Sequence, residues 1–290
     1  MKAIETAYLI SWSRAVGMLY TKKKRLYNDP ISKKILSPSY KFKLTLIHVP
    51  LIFNCYMRYK EKYTRGKMAI RFCRFRYIDD LLKNCIAKKE IETVVNFGSG
   101  MDPRPYYISG AENVRFFELD HPDVIKKKKA KIKKLLGKLP SHVIYVPIDF
   151  EKQTVDIELE KAGYNLNSKT LFIWEGVTYY LSREAINTTL KYVSKATTGS
   201  KIVFTYLLKD FIEGKNIPDG WELVYNYNLK KNNIFKFGLN QADVSNYLSK
   251  YSLNVVEDIG HEEFKDRYMK FVDLNLEVSE LERIVLAEVN

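Results

Sequence analysis

Short apolar runs recur through the middle of the chain, each closed by a polar residue or a glycine. Thr93–Phe97 stops at Gly98-Ser99-Gly100, residues 114–119 stop at Asp120, residues 142–146 close near Asp149, and Thr170–Trp174 stops at Glu175. A fifth run covers residues 201–207. Helix-length stretches separate them, notably residues 122–136 and 183–194. Apolar strands alternating with helices of this length predict a mostly parallel sheet covered on both faces. Two late β-prone runs, residues 253–257 and 284–288, are expected to add a terminal hairpin to it. The predicted class is therefore α/β, with a seven-stranded, Rossmann-like, mostly parallel sheet.

Before Glu92 the pattern is different. Residues 1–90 read mainly helical, punctuated by Pro30, Pro38 and Pro50, and residues 79–82 fall in a helix running to about Ala87. The run 44–57 is the most apolar, but it contains His48, Pro50 and Asn54. It is too short and too interrupted to span a bilayer. It reads as a buried helix, or as an amphipathic one lying against a lipid surface. Residues 209–236 are irregular, with Gly214, Pro218 and Gly220, and read as a lid insertion reaching about residue 239. Residues 240–250 look like a further helix. The expected organisation is a helical N-terminal region, 1–90, followed by an α/β domain, 91–290.

Length and aromatic content agree with a large ordered core: 290 residues, 21 Tyr and 15 Phe. The net charge of +14 favours anionic partners, whether nucleic acid, a membrane surface or a charged small molecule, without choosing among them. The lysines at 126–129, 131, 133 and 134 read as the solvated face of a helix, with Lys128 turned toward the site. Cys55, Cys73 and Cys85 form no CxxC and are odd in number, which points to incidental thiols in a reducing, cytoplasmic compartment and to no zinc site. Glu5 and Arg14 interrupt any signal-peptide pattern in the first twenty residues.

The candidate chemistry lies where the strands end. A glycine turn after the first strand lets a ligand approach the backbone, at the edge where open α/β sheets bind ligands. Asp120 ends the next strand, 20 residues beyond Gly100, where a carboxylate can accept both ribose hydroxyls. Glu118 lies on the same side of that strand and competes for the role; Asp120 is preferred as nearer the sheet edge. Asp120 also reads as a helix cap before Pro122. Gly98-Ser99-Gly100-Met101-Asp102-Pro103 lacks the third glycine that packs a helix beneath a pyrophosphate. A nucleoside ligand without pyrophosphate, such as S-adenosylmethionine, is favoured over a hydride-carrying dinucleotide. Asp149-Phe150 suits the adenine, with a carboxylate for its amine and a ring beside the base. Glu175 is poised near the sulfonium or the amino group.

Five segments in order resemble the leucine carboxyl methyltransferase family, including its bacterial S-adenosylmethionine-dependent branch. They are Arg74-Phe75-Arg76-Tyr77-Ile78-Asp79-Asp80, Val94-Val95-Asn96-Phe97-Gly98-Ser99-Gly100-Met101-Asp102-Pro103-Arg104, Phe117-Glu118-Leu119-Asp120-His121-Pro122, Val146-Pro147-Ile148-Asp149-Phe150, and Trp174-Glu175-Gly176-Val177-Thr178-Tyr179-Tyr180-Leu181. The resemblance implies a class I methyltransferase fold and S-adenosyl-L-methionine as cofactor. It implies that Arg74 contacts the cofactor carboxylate, that Gly98 shapes the methionine-side turn, and that Asp120 holds the ribose. It further implies that Asp149 and Phe150 flank the adenine and that Glu175 faces the methionine part. A guanidinium grips a carboxylate bidentately, which suits Arg74 to its implied role. The chain departs from the family at Ser99, where Ala is usual, and at Pro103 and Phe75, where Thr is usual. The N-terminal region is expected to form part of the acceptor pocket but offers no transferable motif.

Methyl transfer from a sulfonium is an in-line displacement. An ionised carboxylate acceptor, with a pKa of about 4, needs no general base, and the enzyme contributes alignment and shielding. None of His48, His121, His142 and His261 is placed by the sequence as a catalytic base, and none is named. The expected acceptor is a carboxylate on a small molecule or a peptide terminus. The alternatives are a nucleic-acid-binding protein or RNA methyltransferase, supported by the charge but by no recognition motif, and a non-enzymatic protein on the same fold.

Overall fold

The computed structural model describes residues 3–290 apart from 151, 273 and 275. Eight strands among the described residues form one sheet: β1 (Thr93–Phe97), β2 (Arg115–Asp120), β3 (Val143–Pro147), β4 (Thr170–Trp174), β5 (Lys201–Leu208), β6 (Gly238–Leu239), β7 (Leu253–Ile259) and β8 (Glu282–Val289). Their order is β3-β2-β1-β4-β5-β8-β7. The first five are parallel, and β8 runs antiparallel to both β5 and β7. The two-residue β6 pairs with Leu207 and Leu208 of β5, beyond the end of β4. This is a class I methyltransferase architecture: seven full strands, a terminal antiparallel hairpin, N-terminal helices and an insertion.

Strand alternation assigns the two faces. Val94, Phe116 and Val203 point into a core shared with the N-terminal helices, including Phe75, Ile78 and Leu82 of helix Lys67–Ala87. Val95, Phe97, Phe117, Phe172 and Phe204 point the other way, against Leu159, Leu190 and Leu248 of the helices on that face. Both faces are covered, so the strands are apolar on both sides, as expected of a parallel sheet.

The apolar run 44–57 is not one buried helix. It divides into Pro38–Ile47 and Pro50–Tyr63, because Pro50 has no N–H to continue the first helix and has the fixed φ that starts the second. Leu44, Ile47 and Met57 are buried, whereas Leu46, Val49, Leu51 and Ile52 are exposed. The insertion is less irregular than expected. It contains short helices at Lys209–Ile212 and Glu222–Tyr225 and a π-helical turn at Asn226–Lys231. Phe211, Trp221 and Phe235 anchor it against Tyr179 and Leu281. The helix expected over residues 240–250 is a 3₁₀ turn, Gln241–Asp243, followed by Val244–Ser249. All three cysteines are free; Cys73 and Cys85 are buried and Cys55 is exposed. No described helix is long and apolar enough to cross a membrane.

Candidate active site

The turn after β1 sets the floor of the site. Gly98 and Gly100 take φ of +66° and +49°, the left-handed region that disfavours a side chain. A Cβ on Gly98 would lie 2.5 Å from Val177 Cγ2, so close approach also demands glycine there. Ser99, buried between them, donates its N–H to the Leu119 carbonyl at 2.8 Å, and its Oγ has no hydrogen-bond partner among the described residues. Asp120 accepts the Gly100 N–H at Oδ2 and the His121 N–H at Oδ1, both at 2.6 Å. It is thus tied to the glycine turn. The cap of the next helix is His121, which accepts the Asp123 N–H at 3.3 Å. Burial pushes the Asp120 carboxyl up, against the pull of those two N–H groups. Each carboxylate oxygen still has a lone pair for a ligand hydroxyl.

Glu118 shares the Asp120 side of β2 but lies beneath the site. It is fully buried, paired with Lys128 Nζ at 2.7 Å, and accepts the Tyr106 hydroxyl at 3.1 Å. Burial pushes its carboxyl up to about 7 despite the lysine. Lys128 Nζ also reaches the Ser99 carbonyl at 3.5 Å. Of the lysine cluster, Lys128 alone is fully buried; it props up the turn, while most of the others face outward.

A cavity of about 420 Å³ opens over these strand ends. Gly98, Ser99, Gly100, Asp120, Asp149, Phe150 and Glu175 all line it. Asp149 holds Lys152 Nζ at 2.9 Å. Arg74 is the exception among the expected residues. It lies buried behind Glu175, donating Nε to Oε1 at 2.9 Å and pairing Nη1 with Glu282, and it does not line the cavity.

Two other arginines line it instead. Arg104 reaches Glu175 Oε2 at 2.7 Å, Asp102 at 2.8 Å and Asp79 at 2.7 Å. Arg14 reaches Asp29 at 2.7 Å and Asp79 at 3.1 Å. Three guanidiniums therefore meet five carboxylates, leaving a local excess of two negative charges in a largely buried network. Burial pushes Asp79 up, but Arg14 and Arg104 outweigh it and hold the carboxyl below the usual range. Asp102 ends low in the same way, burial being overcome chiefly by Arg104 and Lys128. One terminal nitrogen of each arginine has no hydrogen-bond partner among the described residues: Arg14 Nη1, Arg74 Nη2 and Arg104 Nη2. A buried unpaired donor is costly, so these atoms point to a ligand acceptor or to water.

Sequence reasoning misses Arg14 and Asn96, which donates to Asp102 at 2.9 Å and lines the cavity. The one trace of Arg14 is helical spacing: Ala7, Ile10 and Arg14 occupy one face of helix Ala3–Gly17, and all three line the cavity. Asp102 and Arg104 stand within the glycine segment but carried no predicted role. Farther out, Ile10, Phe75, Tyr180, Leu181 and Ile234 make an apolar wall. His121 borders the cavity, His48 is exposed, and His142 meets the Pro105 carbonyl at 3.0 Å. His261 pairs with Glu262 at 2.8 Å. No group of three or more His, Cys, Asp or Glu among the described residues is arranged to hold a metal.

A family model for leucine carboxyl methyltransferases matches residues 7–194. The chain is 26% identical over 194 residues to YktD of Bacillus subtilis, named for S-adenosyl-L-methionine-dependent methyl transfer; the match covers 66% of this chain and 63% of that protein. A similarly named Streptomyces coelicolor protein is 27% identical over 157 residues, 53% of this chain and 55% of that one. The chain thus spans less than two thirds of the length of these relatives. Among solved structures, a DUF574 family protein from Streptomyces avermitilis has a TM-score of 0.58 at 11% identity, covering 96% of this chain and 97% of that one. A Thermobifida fusca protein named for methyl transfer has a TM-score of 0.56 at 13% identity, covering 82% and 88%. These two likenesses are of fold. The family match covers well over half of the chain, and the protein belongs to the leucine carboxyl methyltransferase family.

Proposed function

We propose that the chain is an S-adenosylmethionine-dependent O-methyltransferase acting on a carboxylate of a small molecule or peptide terminus. The observation that carries the cofactor is the cavity itself. One space gathers a left-handed glycine turn, carboxylates from the ends of β2, β3 and β4, and unpartnered arginine nitrogens. The two-charge excess of buried carboxylates suits a ligand with a sulfonium and an ammonium better than a pyrophosphate.

In this reading Asp120 accepts the ribose hydroxyls, with the Gly98–Gly100 turn beside them. Asp149 and Phe150 flank the adenine. Glu175 takes the amino group with its remaining lone pairs. The cofactor carboxylate falls to Arg14 Nη1 and Arg104 Nη2, while Arg74 positions Glu175. S-adenosylmethionine, when bound, supplies an electrophilic methyl group. The chain's part is to align the acceptor oxygen with that methyl and to exclude water.

The carboxylate acceptor is supported by three cations. Lys67, Arg71 and Phe75 lie at successive four-residue steps along helix Lys67–Ala87, and Phe75 borders the cavity. Arg71 donates to Ser13 Oγ at 3.1 Å, Lys67 lies over the Trp221 ring at 5.1 Å, and Lys60 lies over Tyr56 at 5.5 Å. None of the three forms an ion pair with a described carboxylate. Such cations recognise an anion.

Calorimetry with S-adenosylmethionine, S-adenosylhomocysteine and NAD tests the cofactor. The first two are expected to bind and NAD is not; binding of NAD alone would end this reading.

A further inference from the structure

Residues 21–65 contain twelve Lys and Arg against two carboxylates, Asp29 and Glu61. This segment holds ten of the chain's net +14 charges. It also holds half of the exposed large hydrophobic side chains among the described residues: Phe42, Leu46, Val49, Leu51, Ile52 and Tyr59. Leu51 is 73% exposed and Phe42 66%. Charge and apolar exposure coincide on two helices, Pro38–Ile47 and Pro50–Tyr63, joined at His48 and Val49. The same two helices carry exposed Lys41, Lys43, Arg58 and Lys62, and the short helix Ser32–Ile35 before them carries exposed Lys33 and Lys34.

Apolar side chains left in water in one small area signal a binding surface. The charge around them selects the partner. A second copy of the chain would bring two strongly cationic faces together, which repel. A nucleic acid would neutralise the lysines but would make little use of Leu46, Val49, Leu51 and Ile52, since strand recognition rests on aromatic stacking. An anionic lipid surface uses both features: headgroups for the cations and the acyl boundary for the aliphatic chains. Neither helix is long enough to span, so each would lie in the interface plane.

We propose that helices Pro38–Ile47 and Pro50–Tyr63 seat this protein on an anionic lipid surface, with Leu46, Val49, Leu51 and Ile52 entering the acyl boundary and the flanking lysines at the headgroups. The seat is firmly joined to the cavity. Trp12 of helix Ala3–Gly17 packs on Tyr40 at 5.5 Å and donates to the Tyr56 hydroxyl at 3.2 Å, one contact from each seat helix. The same Ala3–Gly17 helix lines the cavity through Ala7, Ile10 and Arg14. The proposal does not depend on the cofactor, and its test needs none.

The full chain is sedimented with vesicles of phosphatidylcholine, with or without phosphatidylglycerol. Saturable partition onto the phosphatidylglycerol vesicles is expected, weakening as sodium chloride is raised. The double variant Leu51→Glu/Ile52→Glu is expected to lose roughly tenfold or more in partition, with an unchanged circular dichroism spectrum because both positions are exposed. Lys41→Glu/Lys43→Glu is expected to lose a comparable factor on anionic vesicles only. Three outcomes overturn the proposal. One is no partition onto phosphatidylglycerol vesicles. Another is equal partition onto both vesicle types, indifferent to Lys41→Glu/Lys43→Glu. The last is partition unaltered by Leu51→Glu/Ile52→Glu. Light scattering and duplex DNA titration complete the test. A dimer dissolved by the leucine–isoleucine variant, or DNA binding indifferent to it, without vesicle binding, assigns the surface to another partner and overturns the lipid proposal.

Discussion

Asp120 and Glu118 stand two residues apart on one side of β2, and depth alone separates their chemistry. Alternation places both carboxylates toward the same side and cannot rank them; only the place of Asp120 nearer the strand end favours it. Depth depends on Tyr106 and Lys128, which arrive from other elements. Asp120→Ala is expected to weaken S-adenosylhomocysteine binding by about 1.5–3 kcal/mol while most of the stability survives. Glu118→Ala strands Lys128 in the interior and is expected to cost about 3 kcal/mol of stability, read by urea denaturation. The reverse pattern would exchange the two roles. Lys67 gives a second residue-scale prediction. Burial first, then Arg71 and Lys60, push its ammonium down to about 7, with Glu282 pulling the other way. The sign is fixed: Lys67 is charged below that pH and neutral above it. Affinity for a carboxylate acceptor or inhibitor is therefore expected to fall as pH rises through about 7, and Lys67→Met is expected to remove that inflection. The same depression means that the unfolded chain binds more protons between about 7 and 10.4, so this group adds stability as pH rises across that window. An inflection that persists in Lys67→Met would assign the titration to another group.

The strands were legible because period and punctuation agree. β1 and β4 fall where the apolar runs fall, and β2, β3 and β5 differ by about a residue at their ends. Turn chemistry was legible at Gly98 for the same local reason. Gly98→Ala is expected to fail twice, through a left-handed φ and through the 2.5 Å approach of its new methyl to Val177. Gly199→Ala is the control: φ is +84° with nothing within 4 Å of the added methyl. Both variants are expected to lose about 1–2 kcal/mol to backbone strain, but only Gly98→Ala is expected to lose cofactor affinity, by calorimetry on the folded fraction. Equal affinity in both would remove the turn from the site. The N-terminal helices were far less legible. Their hydrophobic pattern showed that helices form, but not which face meets the sheet. That choice is made by long-range contacts such as Arg14 with Asp79, 65 residues apart. Arg74 shows the same limit, since its motif and charge were visible while its seat behind Glu175 depends on β8 through Glu282.

At the scale of the whole molecule, positive charge and carboxylates are sorted into different places. The cavity over the strand ends gathers an excess of carboxylates, whereas Lys60, Lys67 and Arg71 form no ion pair with a described carboxylate, and residues 21–65 carry most of the net charge. A cationic donor and an anionic acceptor would each meet its complement, and their reaction would join opposite charges into a neutral ester and a thioether. No general base is needed for that step, because the acceptor is already ionised. A phenol or alcohol would need one, and of the four histidines only His121 borders the cavity, with Nδ1 occupied as a helix cap. Product chemistry decides between them. Candidate acids and phenols are incubated with methyl-labelled S-adenosylmethionine, and the product is treated with mild base. A methyl ester releases labelled methanol, whereas an aryl methyl ether or an N-methyl group retains the label. Base-labile product is expected, with turnover reduced by about tenfold or more in Arg71→Met, the loss typical of a charged contact, while S-adenosylhomocysteine affinity is unchanged. A base-stable ether formed efficiently would overturn the carboxylate acceptor and leave O-methylation standing; turnover of acids undiminished in Arg71→Met would instead keep the ester and remove the cation cluster from acceptor recognition.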